Sequence, residues 1–204
     1  MPIYDLETHL LPFRPAAQKF DLGEGMLVQN QTAGGEIISS GNAARLWRGT
    51  LTLWQTPNTD AGIVDARLHM LRAPDAAFLI RDYRRNTGFT AVLQGVQANG
   101  TVNINTGPPG AVIRAYDYIG FEYAGRRALH QVVTGVTLNG SGVINGIMVI
   151  PPVRPGWTAG VSVTVGSARC IAKMVPGSLK IGEARRGFTS GASFDWIQTL
   201  RQVT

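Results

Sequence analysis

The sequence predicts a mainly β protein: a β-sandwich or split barrel with one α-helix, interrupted by a small inserted β-barrel domain. Three observations predict it. Apolar and polar residues alternate over short runs along most of the chain, the two-residue period of half-buried strands. Turn material drawn from 25 glycines and 11 prolines separates those runs, without the fixed period of a collagen-like chain. Helical spacing of apolar residues appears in one stretch, near residues 60–72.

Taken in order, residues 1–25 hold three prolines, several charges and little periodicity. They read as an extended N-terminal arm whose order depends on neighbours, leading to a strand near Met26-Leu27-Val28. Over 36–55 the pattern is that of a hairpin. Residues 36–39 form one arm, Ser40-Gly41-Asn42 supply the turn, and residues 47–54 form the second arm. In that second arm Trp47, Gly49, Leu51 and Leu53 share one face, and Arg48, Thr50, Thr52 and Trp54 share the other. The helix follows over 60–72, with Val64, Leu68 and Leu71 at helical spacing and Pro57-Asn58-Thr59-Asp60 offering capping side chains. Ala73-Pro74 stops it, because proline lacks an amide hydrogen and disfavours helical geometry in the residue before it. A strand over 77–82 comes next.

From 84 to 165 many short strands are expected, at 89–94, 101–105, 118–123, 128–135, 142–150 and 162–165. Asn99-Gly100, Pro108-Pro109-Gly110, Ala124-Gly125 and Asn139-Gly140 mark the turns between them. This spacing suits a small closed barrel or sandwich. Three further strands, at 169–174, 179–182 and 193–199, follow it. Strands on both sides of a self-contained barrel imply a nested layout: a parent domain from 26–83 and 169–204, and an inserted barrel domain at 84–168.

Composition narrows the function classes. Hydrophobic residues make up 44% and charged ones 16%, so the chain buries a core rather than staying disordered. No apolar run approaches a membrane span, and acids stand where a signal peptide would carry bases; a soluble protein made in a cytoplasm is expected. The single cysteine, Cys170, excludes an internal disulfide, and its alternating apolar surroundings mark a sheet residue rather than an activated thiolate. His9, His69 and His130 lack metal-ligand spacing. No phosphate loop, dinucleotide fingerprint or nucleophile elbow occurs. Asp60, Asp65, Asp75 and Asp82 straddle a helix start and a strand end, and Asp60 there complements the positive helix terminus. Neither a catalytic residue, a metal site nor a cofactor is expected.

The formal net charge is +6, and sixteen of the nineteen bases are arginine, the base best suited to forked contacts with carboxylates. They occur singly and in pairs rather than in a run, so Arg126, Arg127, Arg185 and Arg186 are candidate subunit-interface residues. Ile37, Ile38, Trp47 and Trp54 are further candidates, because apolar residues on an edge hairpin are a template for pairing across subunits.

Several runs carry a family resemblance. They are Leu46-Trp47-Arg48-Gly49-Thr50-Leu51-Thr52-Leu53, the helix end Arg67-Leu68-His69-Met70-Leu71-Arg72, and the strand Ala77-Phe78-Leu79-Ile80-Arg81-Asp82. In the barrel they are Tyr116-Asp117-Tyr118-Ile119-Gly120-Phe121, Arg126-Arg127-Ala128-Leu129-His130-Gln131-Val132-Val133, the Asn139-Gly140 turn, Ile150-Pro151-Pro152-Val153-Arg154-Pro155-Gly156 and the closing Ser193-Phe194-Asp195-Trp196. In this order they resemble the distal tail (tail-hub) proteins of bacteriophages with long, non-contractile tails, from residue 36 to the C-terminus. At the helix–strand junction, where family members often carry a longer glycine-bearing turn, this chain has the shorter Ala73-Pro74-Asp75-Ala76.

The resemblance implies a tail-tube-like parent domain that assembles into a ring, sixfold by the family, at the distal end of a tail. It implies no enzymatic activity and no cofactor. The implied partners are other copies of the chain, the tail tube protein and the tail tip or baseplate proteins, with DNA only in transit and no membrane. The implied location is the virion tail tip, after synthesis and assembly in the bacterial host cytoplasm. Two other readings stay open: a carbohydrate-binding accessory module of a tail or cell-wall protein, stacking sugars on Trp157 or Trp54, and a basic DNA-binding barrel protein.

Overall fold

The computed structural model describes residues 2–10, 15–25, 27–31, 37–40, 44–84, 88–98 and 100–200, with 27–31 and 37–40 described by their backbone. The first part of the chain supplies β1 (Ile3–Asp5), α1 (Leu6–His9), β2 (Pro15–Gln18), β3 (Asp21–Leu22), β4 (Leu27–Gln31) and β5 (Ile37–Ser40). It continues with β6 (Trp47–Leu53), β7 (Thr56–Pro57), α2 (Asn58–Leu71) and β8 (Ala77–Arg81). The middle supplies β9 (Phe89–Val96), β10 (Val102–Asn105), β11 (Val112–Ile113), β12 (Tyr118–Tyr123), β13 (Arg126–Val132), β14 (Val136–Thr137), β15 (Ile144–Ile147), β16 (Val149–Ile150) and β17 (Ser162–Val165). The last part supplies β18 (Arg169–Met174), β19 (Glu183–Ala184), β20 (Phe188–Ser190) and β21 (Ser193–Gln198). The protein is mainly β, and its principal helix is α2.

The first seven-stranded sheet has the order β1-β8-β18-β21-β6-β2, with β3 also on β6. Only β1 and β8 run parallel within it. Its inward residues include Leu51, Leu53, Phe78, Ile80, Cys170, Phe194 and Trp196, and α2 packs Val64, Leu68 and Leu71 into the same core. The helix starts without a side-chain cap. The Asn58 side chain, expected as a cap, instead donates to the Arg185 carbonyl at 2.9 Å and accepts from the Thr189 hydroxyl at 2.9 Å. That ties the helix start to the small sheet β19-β20-β7. Gly49 sits where the corner between β2 and β3 crosses β6. A Cβ there would lie 1.8 Å from the Lys19 carbonyl oxygen, so the crossing requires glycine.

The second seven-stranded sheet has the order β15-β10-β9-β17-β12-β13-β16, and every pair in it is antiparallel. The strands at its two ends, β15 and β16, are consecutive in the chain and separated only by Met148. One bent run therefore pairs with both edges and closes the sheet on itself, which removes the exposed edges. Leu93, Val102, Ile104, Ile119, Phe121, Val132, Ile147, Val163 and Val165 fill the interior. The chain enters and leaves this barrel at one place, because Arg81 at the end of β8 and Arg169 at the start of β18 are cross-strand partners. Tyr118 and Leu129 reach out of the barrel into the first core.

Several expectations need correction. The segment 1–25, expected as an arm, belongs to the first sheet as β1, β2 and β3. Leu6 and Leu10 are 0% and 1% exposed in its core, and a second, four-residue helix, α1, joins them to β1. Backbone pairing at sheet edges needs no sequence period, so nothing periodic marked these strands. The hairpin expected between 36–39 and 47–54 is also different. Strand β5 pairs with β4, in the register Gln31↔Ile37 and Val28↔Ser39, while β6 lies between β21 and β2. The turn residues Gly41 and Asn42 lie outside the described residues, as do Glu36 and Asn99. Residues 179–182 make only a single bridge, Lys180 to Ser193.

Candidate functional site

The eight candidate interface residues separate into three groups. Trp47 is a correction. It is 2% exposed, and its indole Nε1 donates to the Leu129 carbonyl at 2.8 Å. Phe20 joins the cluster, its ring 5.5 Å from that of Trp47, 5.3 Å from Tyr118 and 4.7 Å from Trp196. Trp47 thus fastens the first sheet to the barrel, and the aromatic area removed from water there exceeds what a surface role would leave. Ile37 and Ile38 lie on β5 opposite Gln31 and Asn30; their side chains lie outside the described residues.

The remaining candidates are at the surface. Trp54 is 52% exposed. Arg126 is exposed at the tip of the β12–β13 hairpin, beside the Ala124-Gly125 turn. Arg127, its neighbour, is half-buried and its guanidinium is paired with Glu122, the residue opposite it across the strands. Arg185 and Arg186 are exposed in the turn between β19 and β20. The Arg185 backbone donates to the Phe188 carbonyl and accepts from Asn58, so the turn is held while its side chains project.

A cleft of about 660 Å³ lies where the barrel wall meets the first sheet, lined by Arg81, Arg127, Arg169, Glu122, Ser162, Thr164 and Ser167. Its charges are matched within the chain. Arg81 meets Glu7 at 2.7 Å, Arg169 meets Asp5 at 2.6 Å and Glu7 at 3.2 Å, and Arg127 meets Glu122. The sequence carries no signal for this network, because Asp5 and Arg169 are 164 residues apart. A second, shallow groove of about 420 Å³ has Trp157, Pro152, Val153, Pro155, Val96 and Gln97 along it.

Asp82, Cys170, His9 and His130 are each buried or paired within the chain. Asp82 is 4% exposed and receives the Arg84 guanidinium, with Nε at 2.9 Å from both carboxylate oxygens. Burial pushes the Cys170 thiol up, well away from thiolate formation. His9 packs on Tyr4 with ring centroids 4.3 Å apart, and its Nε2 is 3.3 Å from the Arg67 carbonyl. His130 is buried in the barrel. Among the described residues, no group of three or more His, Cys, Asp or Glu side chains is placed to hold a metal ion, and no helix is long and apolar enough to cross a membrane.

The sequence matches no known protein-family model, and no curated protein matches it.

Proposed function

We propose that the chain is a structural subunit that forms a ring at the distal end of a phage tail and joins the tail tube to the tip proteins. The observation that supports this best is the hairpin β4–β5, which pairs with no other strand among those described. An isolated two-stranded hairpin is marginal in water, and needs a third strand or a packing surface. The same chain carries a sheet whose outer strands β1 and β2 each have one unpaired edge among the described residues. Open edges need covering. A neighbouring copy in a closed ring meets both needs, through a contact in which one surface of each subunit meets a different surface of the next.

In this reading the projecting Trp54, Arg126, Arg185 and Arg186 meet neighbouring subunits or the tail tube and tip proteins, and DNA passes through the ring without specific contacts. The role is assembly rather than catalysis. Light scattering on the purified chain at tens of micromolar, followed by imaging of the particles, tests it. A closed ring several times the 21.9 kDa chain mass is the expected result. A monodisperse monomer overturns it.

The groove beside Trp157 favours a second reading, a carbohydrate-binding accessory module, because a half-buried tryptophan next to a Gln97 side chain suits a sugar ring. A monomer whose Trp157 fluorescence responds to saccharide would replace the ring reading with this one.

A further inference from the structure

We propose that the barrel contains an acid-operated latch, in which protonation of the buried His130 imidazole opens the barrel while the first sheet stays folded. The inference rests on the barrel alone and is independent of the ring reading.

His130 sits on β13 opposite Ile119 of β12 and is 2% exposed. Its Nδ1 is 2.6 Å from the Pro151 carbonyl oxygen, which fixes Nδ1 as the protonated nitrogen of a neutral ring. Its Nε2 is buried without a hydrogen-bond partner. The Phe121 ring stacks on it with centroids 5.5 Å apart, and the interior beyond is aliphatic and aromatic. A proton added at Nε2 therefore becomes a buried N–H with nothing to accept it.

Among the described residues no counter-charge is at hand. The ionised group that acts on the ring is Arg154, a cation that opposes a second positive charge. On β13 itself, Arg126 shares the face of His130 but sits at the exposed hairpin end, and Arg127 is on the opposite face. On β12, Glu122 is exposed and paired with Arg127. Asp117, just before β12, accepts from the Arg114 amide.

Burial, first, and then Arg154 hold the imidazole down to about 4, against 6.5 for the free side chain, with the Pro151 bond acting the other way. Above pH 6.5 the folded and unfolded chains are both neutral at this residue, and the barrel has its full stability. Between 6.5 and 4 the unfolded chain binds a proton that the folded barrel refuses, so stability falls as pH falls. Between pH 7.5 and 4.5 this raises the barrel's unfolding constant roughly 70-fold. His9 and His69 lie outside the barrel, in α1 and α2.

Amide hydrogen exchange on the full chain at pH 7.5 and 4.5, corrected for the intrinsic rate, tests the proposal together with an NMR titration of the imidazole. The expected result is a His130 still mostly neutral at pH 4.5 and a loss of protection in strands 89–165 while β8, β18 and β21 stay protected. In His130→Gln, the pH dependence of barrel protection should disappear. If that variant does not fold, the wild-type titration decides alone. An imidazole that titrates near 6.5 with the barrel still protected overturns the latch. So does simultaneous opening of both sheets, or a His130→Gln protein that keeps the same pH dependence.

Discussion

Trp47 and Trp54 are seven residues apart on and just beyond one strand, yet the first is buried and the second is half in water. Alternation along the strand separates them, and the barrel then covers Trp47 through Leu129. Tyr116 shows the opposite case, a large side chain held out of the core by its backbone. It has φ of 72° and is 68% exposed, in the turn from Arg114 to Asp117 where the Asp117 amide donates to the Arg114 carbonyl. A left-handed conformation costs a side-chain-bearing residue about 1–2 kcal/mol, and little burial offsets it here. Tyr116→Gly is therefore expected to raise stability by about 0.5–1 kcal/mol after the added flexibility of glycine in the unfolded chain is subtracted. Thermal denaturation measures this, and a lower midpoint would show that the exposed ring contributes contacts worth more than the strain.

At the scale of elements, the N-terminal segment behaves as part of the fold. Strand β1 hydrogen-bonds along β8, Asp5 and Glu7 hold Arg169 and Arg81, and Leu6 is wholly buried. The ion pairs are partly exposed and add little by themselves; the leucines dominate. Leu6→Ala is expected to destabilise the chain by about 2–5 kcal/mol, as for other buried leucines, read from urea denaturation. An effect below 0.5 kcal/mol would restore the picture of a loosely attached arm. The turn between β19 and β20 is the reverse case. Its side chains Arg185 and Arg186 are exposed, and only the backbone of Arg185 is engaged. Replacing both by alanine should change folding stability by no more than about 0.5 kcal/mol, and, under the proposed ring, should lower the fraction of chain found in large particles on size exclusion. Unchanged assembly would remove this turn from the proposed contact.

For the whole molecule, the organising feature is a barrel whose two ends meet at adjacent, paired strands of another sheet. Because the chain leaves at Arg81 and returns at Arg169, its cross-strand partner, the barrel can be present without disturbing the strands it interrupts. Its interior is its own, and among the described residues of its strands Tyr118 and Leu129 pack with the first core instead. Residues 84–168 alone are thus expected to melt cooperatively, at a lower temperature than the barrel in the full chain, where Tyr118 and Leu129 pack beside Trp47. Calorimetry on the two proteins checks this. A broad, non-cooperative transition in the fragment would assign the barrel's stability to the first sheet.

Period and punctuation in the sequence determined the β character of the chain, the single long helix and most of the barrel strands. Local patterns suffice where a strand must alternate, as in β6, or where a turn needs a left-handed pair, as at Ala124-Gly125 with φ of 49° and 68°. Tertiary structure alone decided the short edge strands β1, β2 and β3, whose backbone bonds are indifferent to side-chain period. It also chose β4 rather than β6 as the partner of β5, since a hairpin pattern does not name the strand it pairs with. The burial of Trp47 and the orphaned Nε2 of His130 depend on contacts with residues far along the chain, and no local arrangement of amino acids encodes them. The ion pairs of Asp5 and Glu7 with Arg169 are of the same kind: two charges become neighbours only after the sheet between them has formed, because closing so long a loop offers no return until the intervening strands are packed.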